Sequence, residues 1–151
     1  MYNIGAKSED FKLCVDEQAF KKLYCAKYLK YKFTGTTQKI FCIETEETIA
    51  GFPDVMELMT SKGGVTTVQF YEFKASDRYG IIEFQKSQPP FYRSNKELDI
   101  RVVAYNRKSQ RVHLFSTDEI FNKESVYYTT NRRINLVQVE KELGEYALFN
   151  Y

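Results

Sequence analysis

The stretch Phe70-Tyr71-Glu72-Phe73-Lys74-Ala75-Ser76 constrains the chain more than any other. Phe, Tyr and Val favour a pleated, half-buried surface, and Val65-Thr66-Thr67-Val68-Gln69 continues that preference upstream, so a strand is predicted over Val65–Ala75. Side chains alternate along a strand. Glu72 and Lys74 therefore share a face with Phe70 and Val68, while Tyr71, Phe73 and Ala75 take the other. Two charges on a buried strand cost several kcal/mol unless they are paired or coordinate something. Either a strand-end ion pair or a metal site answers that requirement.

The preceding segment decides what could face them. Pro53–Met59 reads as a strand and Thr60-Ser61-Lys62-Gly63-Gly64 as a turn. In a hairpin centred near Gly63, Asp54 falls opposite Glu72, with Cβ atoms about 4.5–5.5 Å apart on one face. Carboxylates so placed repel each other unless a divalent cation lies between them, and oxygen ligands suit Mg²⁺ or Mn²⁺. The Phe73 carbonyl supplies a further ligand without its side chain leaving the opposite face. Lys74, next along, would orient the nucleophile or offset charge developing on a phosphate. Pro53 fixes the backbone entering Asp54, and Gly51 relieves crowding in the approach loop. A register shift of one residue would destroy the arrangement.

The rest of the chain supplies a frame. Residues 8–32 carry Val15, Ala19, Leu23 and Ala26 at helical spacing, with Ser8 or Asp10 as the cap. Lys39–Thr45 reads as a first strand. Pro89 and Pro90 suit the first turn of a helix over 87–98. Residues 99–105 and 111–115 read as strands, Ser116 and Glu119 have capping-box spacing for a short helix, and residues 125–130 read as one more strand. Leu136, Val139, Leu143 and Ala147 lie on one helical face of the tail. The fold class is α/β: a mixed central sheet with a first helix, an antiparallel hairpin and a following helix. With 151 residues, the chain divides into one domain over 1–130 and a helical tail over 131–151, packed on the domain or at a dimer interface.

At 43% hydrophobic and 28% charged residues, a disordered chain is excluded. A net charge of +2 excludes a polycation, so nucleic-acid contacts must come from local clusters. Lys21, Lys22, Lys27, Lys30 and Lys32 lie on the first predicted helix, Arg93 and Lys96 on the second. Arg107, Lys108 and Arg111 flank a turn, and Arg132 and Arg133 begin the tail. Interleaved Tyr24, Tyr28 and Tyr31 offer stacking surfaces. Cys14, Cys25 and Cys42 have neither zinc nor disulfide spacing and read as buried thiols in a reducing compartment. His113 reads as a structural histidine. The acidic run Glu44, Glu46 and Glu47 reads as a solvated loop, or as help for the metal site. Neither an export signal nor a membrane span is indicated, which makes the expected location cytoplasmic.

Gly51-Phe52-Pro53-Asp54 followed by Glu72-Phe73-Lys74 resembles the PD-(D/E)XK motif of the restriction-endonuclease-like nucleases over about residues 10–106. With "GIIEFQKSQPPFYR" following, the arrangement is most similar to the VRR-NUC and Holliday-junction-resolvase-like branches. The resemblance implies a restriction-endonuclease-like core and Mg²⁺- or Mn²⁺-dependent hydrolysis of DNA, structure-selective for branched or junction substrates. It assigns Asp54, Glu72 and the Phe73 carbonyl to the metal, Lys74 to the nucleophile and a glutamine to positioning. Gln88 fits that role better than Gln85. An acidic residue on the first helix is implied too, matched by Glu17 ahead of Asp16 and Asp10. Lys21, Lys22, Arg93 and Lys96 become the phosphate contacts, and a homodimer follows by resemblance alone. Two alternatives stay open: a restriction, nicking or flap-type nuclease, and a non-catalytic nucleic-acid-binding or interaction module that retains the fold.

Overall fold

A computed structural model of the chain describes residues 11, 13–14, 16–29, 37–44, 50–61, 63–76, 80–121 and 132–143, with the strand over 37–44 and residues 28, 59–61, 140 and 142–143 described by backbone alone. The first helix, α1 (Glu17–Tyr24), starts where Asp16 leaves the helical conformation and its Oδ1 accepts the Ala19 N–H at 2.8 Å. Asp competes with the backbone for such donors, so it caps a helix more readily than it continues one. The helix expected over residues 8–32 is therefore shorter at its start. Ahead of it the Cys14 N–H donates to the Phe11 carbonyl at 2.8 Å. Past Tyr24 the helix widens into a π-helical turn, Cys25–Leu29. Ser8, Asp10 and Val15 lie outside the described residues.

Five strands form a mixed sheet in the order β1 (Thr37–Glu44), β2 (Val55–Ser61), β3 (Thr66–Ser76), β5 (Ile100–Asn106), β6 (Arg111–Ser116). β1, β2 and β3 run antiparallel in turn, β3 and β5 are parallel, and β5 and β6 are antiparallel. Val55 pairs with Tyr71, Met56 with Phe70 and Glu57 with Gln69, the register of a turn centred on Gly63. β2 starts at Val55, two residues later than the sequence suggests. Pro53 has no N–H to give a ladder, and Asp54 meets β3 with its side chain.

The parallel crossover from β3 to β5 carries a short strand, β4 (Ile81–Glu83), and α2 (Gln88–Ser94). α2 is shorter than the expected 87–98. Asn95 ends it by directing both its backbone N–H and its Nδ2 to the Phe91 carbonyl, at 3.0 and 2.9 Å. At α3 (Thr117–Phe121) the capping box forms: Ser116 Oγ accepts the Asp118 N–H, and Glu119 Oε1 accepts the Ser116 N–H. The tail begins as a strand, β7 (Arg133–Asn135), paired with β4, before α4 (Leu136–Leu143). The strand expected over 125–130, and Ala147, lie outside the described residues.

The two sheet faces bury different partners. Phe20 and Tyr24 of α1 meet Phe73 edge-on, and Phe20 stacks on Tyr105. Each such ring contributes about 1.5–3 kcal/mol by burial, plus about 0.5–1.5 kcal/mol per aromatic contact. On the opposite face Phe84, Tyr92, Val102, Ala104, Ile134, Leu136 and Val139 form the second core. The molecule is thus mixed α/β, a mixed sheet with helices on both sides. Tyr24 is wholly buried, which removes it from any stacking surface. Cys14 and Cys25 are buried free thiols. Among the described residues no helix is long and apolar enough to cross a membrane.

Candidate active site

Strand alternation places Glu72 and Lys74 on the face that carries the second core, yet both are almost fully buried, at 3% and 7% exposure. What they touch explains how the sheet tolerates them. Lys74 Nζ lies 3.8 Å from Glu72 Oε2 and donates to Gln88 Oε1 at 3.0 Å. It also sits 5.0 Å from the centre of the Phe84 ring, on whose face a cation is attracted by the quadrupole. Gln88 Oε1 accepts a second bond from the Gln85 N–H at 2.7 Å, which pins the amide at the first residue of α2. Both glutamines thus enter this arrangement, Gln88 by its side chain and Gln85 by its backbone. The Gln85 side chain is exposed.

Asp54 stands at the last position before β2, half-buried, with Oδ2 accepting the Phe73 N–H at 3.0 Å. Both backbone groups of a strand residue point to one side, so the Phe73 carbonyl faces the same opening, where the β2 ladder has ended. Burial first and then the neighbouring Asp54 push the Glu72 carboxyl up to about 9, and Lys74 only partly offsets them. Glu72 Oε1 is buried with no hydrogen-bond partner among the described residues. An orphaned carboxylate oxygen beside a second carboxylate fits a hard divalent cation, with Asp54, Glu72 and the Phe73 carbonyl as oxygen donors. Among the described residues no group of three His, Cys, Asp or Glu side chains could hold a metal. The donor set therefore rests on two carboxylates and a backbone oxygen.

The approach loop is locked to α2. Gly51 has φ +89°, and a Cβ there would lie 2.7 Å from both the Ser87 carbonyl and Phe91 Cβ. Next to it, Phe52 meets Phe70 and Phe91 edge-on, so three rings fasten the loop that delivers Asp54 to β3 and α2. Glu17 opens α1 on the other side. Its residue surface is exposed, but partial burial of the carboxyl raises its pKa. Lys74 lowers it, Asp54 raises it, and a hydrogen bond from the Ala75 backbone lowers it. Glu17 therefore lies within the field of Asp54 and Lys74, while Asp16 is committed to the cap.

Tyr92 is a residue that sequence reasoning missed. Its hydroxyl is buried with no hydrogen-bond partner among the described residues, and burial, then Glu72, then Asp54 raise its pKa. Its position one turn after Gln88 is the signal: residues four apart on a helix share a face.

The expected phosphate contacts are scattered. Lys21 is half-buried on α1 and Lys22 exposed, and Lys96 is exposed beyond α2. Arg93 directs Nε to the Phe121 carbonyl at 3.2 Å and so ties α2 to α3, a structural use that a free phosphate contact would not have. Lys30, Lys32, Tyr31, Glu46, Glu47 and the side chains of Tyr28 and Glu44 lie outside the described residues. His113 is fully buried on β6 and held neutral, its pKa lowered to about 4 by burial and then by Arg111.

Compared with known proteins, the chain matches no family model, no curated protein and no solved structure.

Proposed function

We propose that the chain is a metal-dependent nuclease with a restriction-endonuclease-like core, hydrolysing DNA phosphodiester bonds. The observation that carries this reading is the convergence of Asp54, Glu72 and Lys74 with Gln88 at the place where the sheet changes from antiparallel to parallel pairing. The order of one helix, three antiparallel strands, a crossover helix and a parallel strand supports it as well.

In this reading Asp54, Glu72 and the Phe73 carbonyl hold the cation. A bound Mg²⁺ or Mn²⁺ would supply the Lewis acidity that activates water and offsets charge on the phosphate. Lys74, fixed by Gln88 and resting on Phe84, directs its ammonium at the attacking water or at a phosphate oxygen. Its own mobility is removed beforehand, so little reorganisation accompanies the reaction. Glu17, outside that donor set, acts on Lys74 and Asp54 from α1 through its charge. Branched or junction DNA is the preferred substrate, by the same resemblance.

The test is cleavage of a four-way junction, a flap and plain duplex with Mg²⁺ or Mn²⁺, alongside Asp54→Ala and Lys74→Ala. Cutting by the wild type that both substitutions reduce by about 10²-fold or more supports the assignment. A folded, metal-loaded wild type that cuts nothing leaves the fold as a binding module.

A further inference from the structure

The carboxylate centre needs cations around it before a polyanion can approach. Two of them lie together beyond the same end of the sheet. Lys74 pairs with Ala104 across the parallel ladder, and Ser76 with Asn106, so the turn over residues 107–110 projects beyond the end of β3 that carries the site. Arg107 lies three residues past Ala104, about 10 Å at the rise of a strand. Both Arg107 and Lys108 are exposed.

The commitments of the other arginines single this turn out. Arg132 and Arg133 pair with Glu83, Arg101 with Asp99, and Arg93 is bound to the Phe121 carbonyl. Arg111 has an interaction of its own. Among the described residues Arg107 is the arginine whose guanidinium has neither an ion pair nor a hydrogen bond, and the Lys108 ammonium has neither as well. Their backbone, by contrast, is fixed. Buried Asn106 accepts the Lys108 N–H through Oδ1 at 3.1 Å, and Gln110 turns the chain with φ 56°. Gly80 packs against the Asn106 amide so closely that a Cβ there would lie 2.8 Å from Nδ2. Two exposed cations with neither ion pair nor hydrogen bond, Arg107 acting on Tyr105 through its charge alone, suit a phosphate, which a guanidinium grips through paired N–H groups.

We propose that the Arg107–Lys108 turn binds the DNA backbone on the Asp54–Glu72 side of the sheet end, taking a phosphate close along the strand to the one being cut. This rests on the nuclease reading and adds to it the path of the strand.

The experiment is fluorescence anisotropy of a labelled DNA duplex with the full chain in Ca²⁺, across a salt series. Wild type is compared with Arg107→Gln, with Arg107→Gln/Lys108→Gln, and with Lys141→Gln, an exposed lysine on α4. Each lost phosphate contact reduces the slope of log K against log salt by about 0.9. The double variant is expected to lose about 1.8 from the slope and about tenfold or more in affinity at low salt, the single variant about half that slope. Lys141→Gln should match wild type. Wild-type binding with an unchanged slope in the double variant, or an equal loss in Lys141→Gln, overturns the assignment of the turn alone. A wild-type chain that binds no DNA overturns the nuclease reading with it.

Discussion

Asp54 accepts the backbone N–H of Phe73 through its side chain, and this bond takes over where the β2 ladder stops. The carboxylate is thereby held against β3 by the strand that carries Glu72 and Lys74. The same residue closes a sheet and faces a buried second carboxylate.

Removing that side chain should have two opposite effects. Asp54→Ala leaves the Phe73 N–H without its acceptor and is expected to cost about 1–2 kcal/mol in urea denaturation without metal. It also removes a charge that raises the Glu72 pKa. With the proposed cation site, Mn²⁺ should raise the melting temperature of the wild type and leave that of the variant unchanged. A Mn²⁺ shift of undiminished size would move the cation site elsewhere.

Glu72 sets a pH dependence. Its carboxyl is raised from 4.5 to about 9 in the folded chain, so the folded state keeps a proton that the unfolded state loses. That contribution is fully present below about pH 4.5 and is lost as pH rises towards 9. Metal-free wild type should lose stability between pH 6.5 and 9, and Glu72→Gln should flatten this limb. Equal slopes for the two proteins in denaturant titrations would contradict it.

His113 acts in the other direction. Its folded pKa of about 4 lies below the ordinary 6.5, so its contribution is present above 6.5 and is lost as pH falls through 4. At about 1.36 kcal/mol per pH unit the loss is about 3 kcal/mol. His113→Leu should remove most of that acid slope while retaining the fold at pH 7, as followed by circular dichroism.

Gly51 and Gly64 separate two kinds of glycine requirement. Both have positive φ, but a Cβ at Gly64 meets nothing within 4 Å, whereas at Gly51 it strikes α2. Gly64→Ala should cost about 1 kcal/mol from the backbone alone. Gly51→Ala should cost about 2–4 kcal/mol and displace the loop carrying Asp54. Chemical denaturation of both variants gives the comparison directly.

The glutamines differ in the same way. Gln88→Ala removes the acceptor that holds Lys74, and the proposed DNA cleavage should fall by about 10–100-fold. Gln85→Ala keeps the backbone N–H that matters and should stay within about twofold of wild type. Equal losses in a single-turnover cleavage assay would reverse the distinction.

The hairpin was legible because strand alternation and a turn centred on Gly63 leave only one pairing that buries Tyr71 and Phe73 together. The short helix at Thr117 was legible from its Ser116–Glu119 box. Helix ends were not, because they depend on single polar side chains, Asp16 at one helix and Asn95 at another, that compete with the backbone only in context. β4 and β7 escaped for a different reason. Each has three residues and no alternation of its own, and their pairing depends on chain segments far apart in sequence. Tyr92 was masked by its aromatic neighbours, which make it look like core until the depth of its hydroxyl is known.

The helix α2 is seven residues long, under two turns in extent. Helices that short depend on their docking contacts, and local opening at such elements requires less free energy than global unfolding. Opening α2 alone would free Lys74 from Gln88 while the β2–β3 hairpin stayed paired. Hydrogen exchange can separate the two halves: the Phe73 amide, covered by Asp54, should outlast the amides of α2. The ammonium would then regain its mobility, as a cooperative unit distinct from the strand pair, before the two carboxylates ever parted.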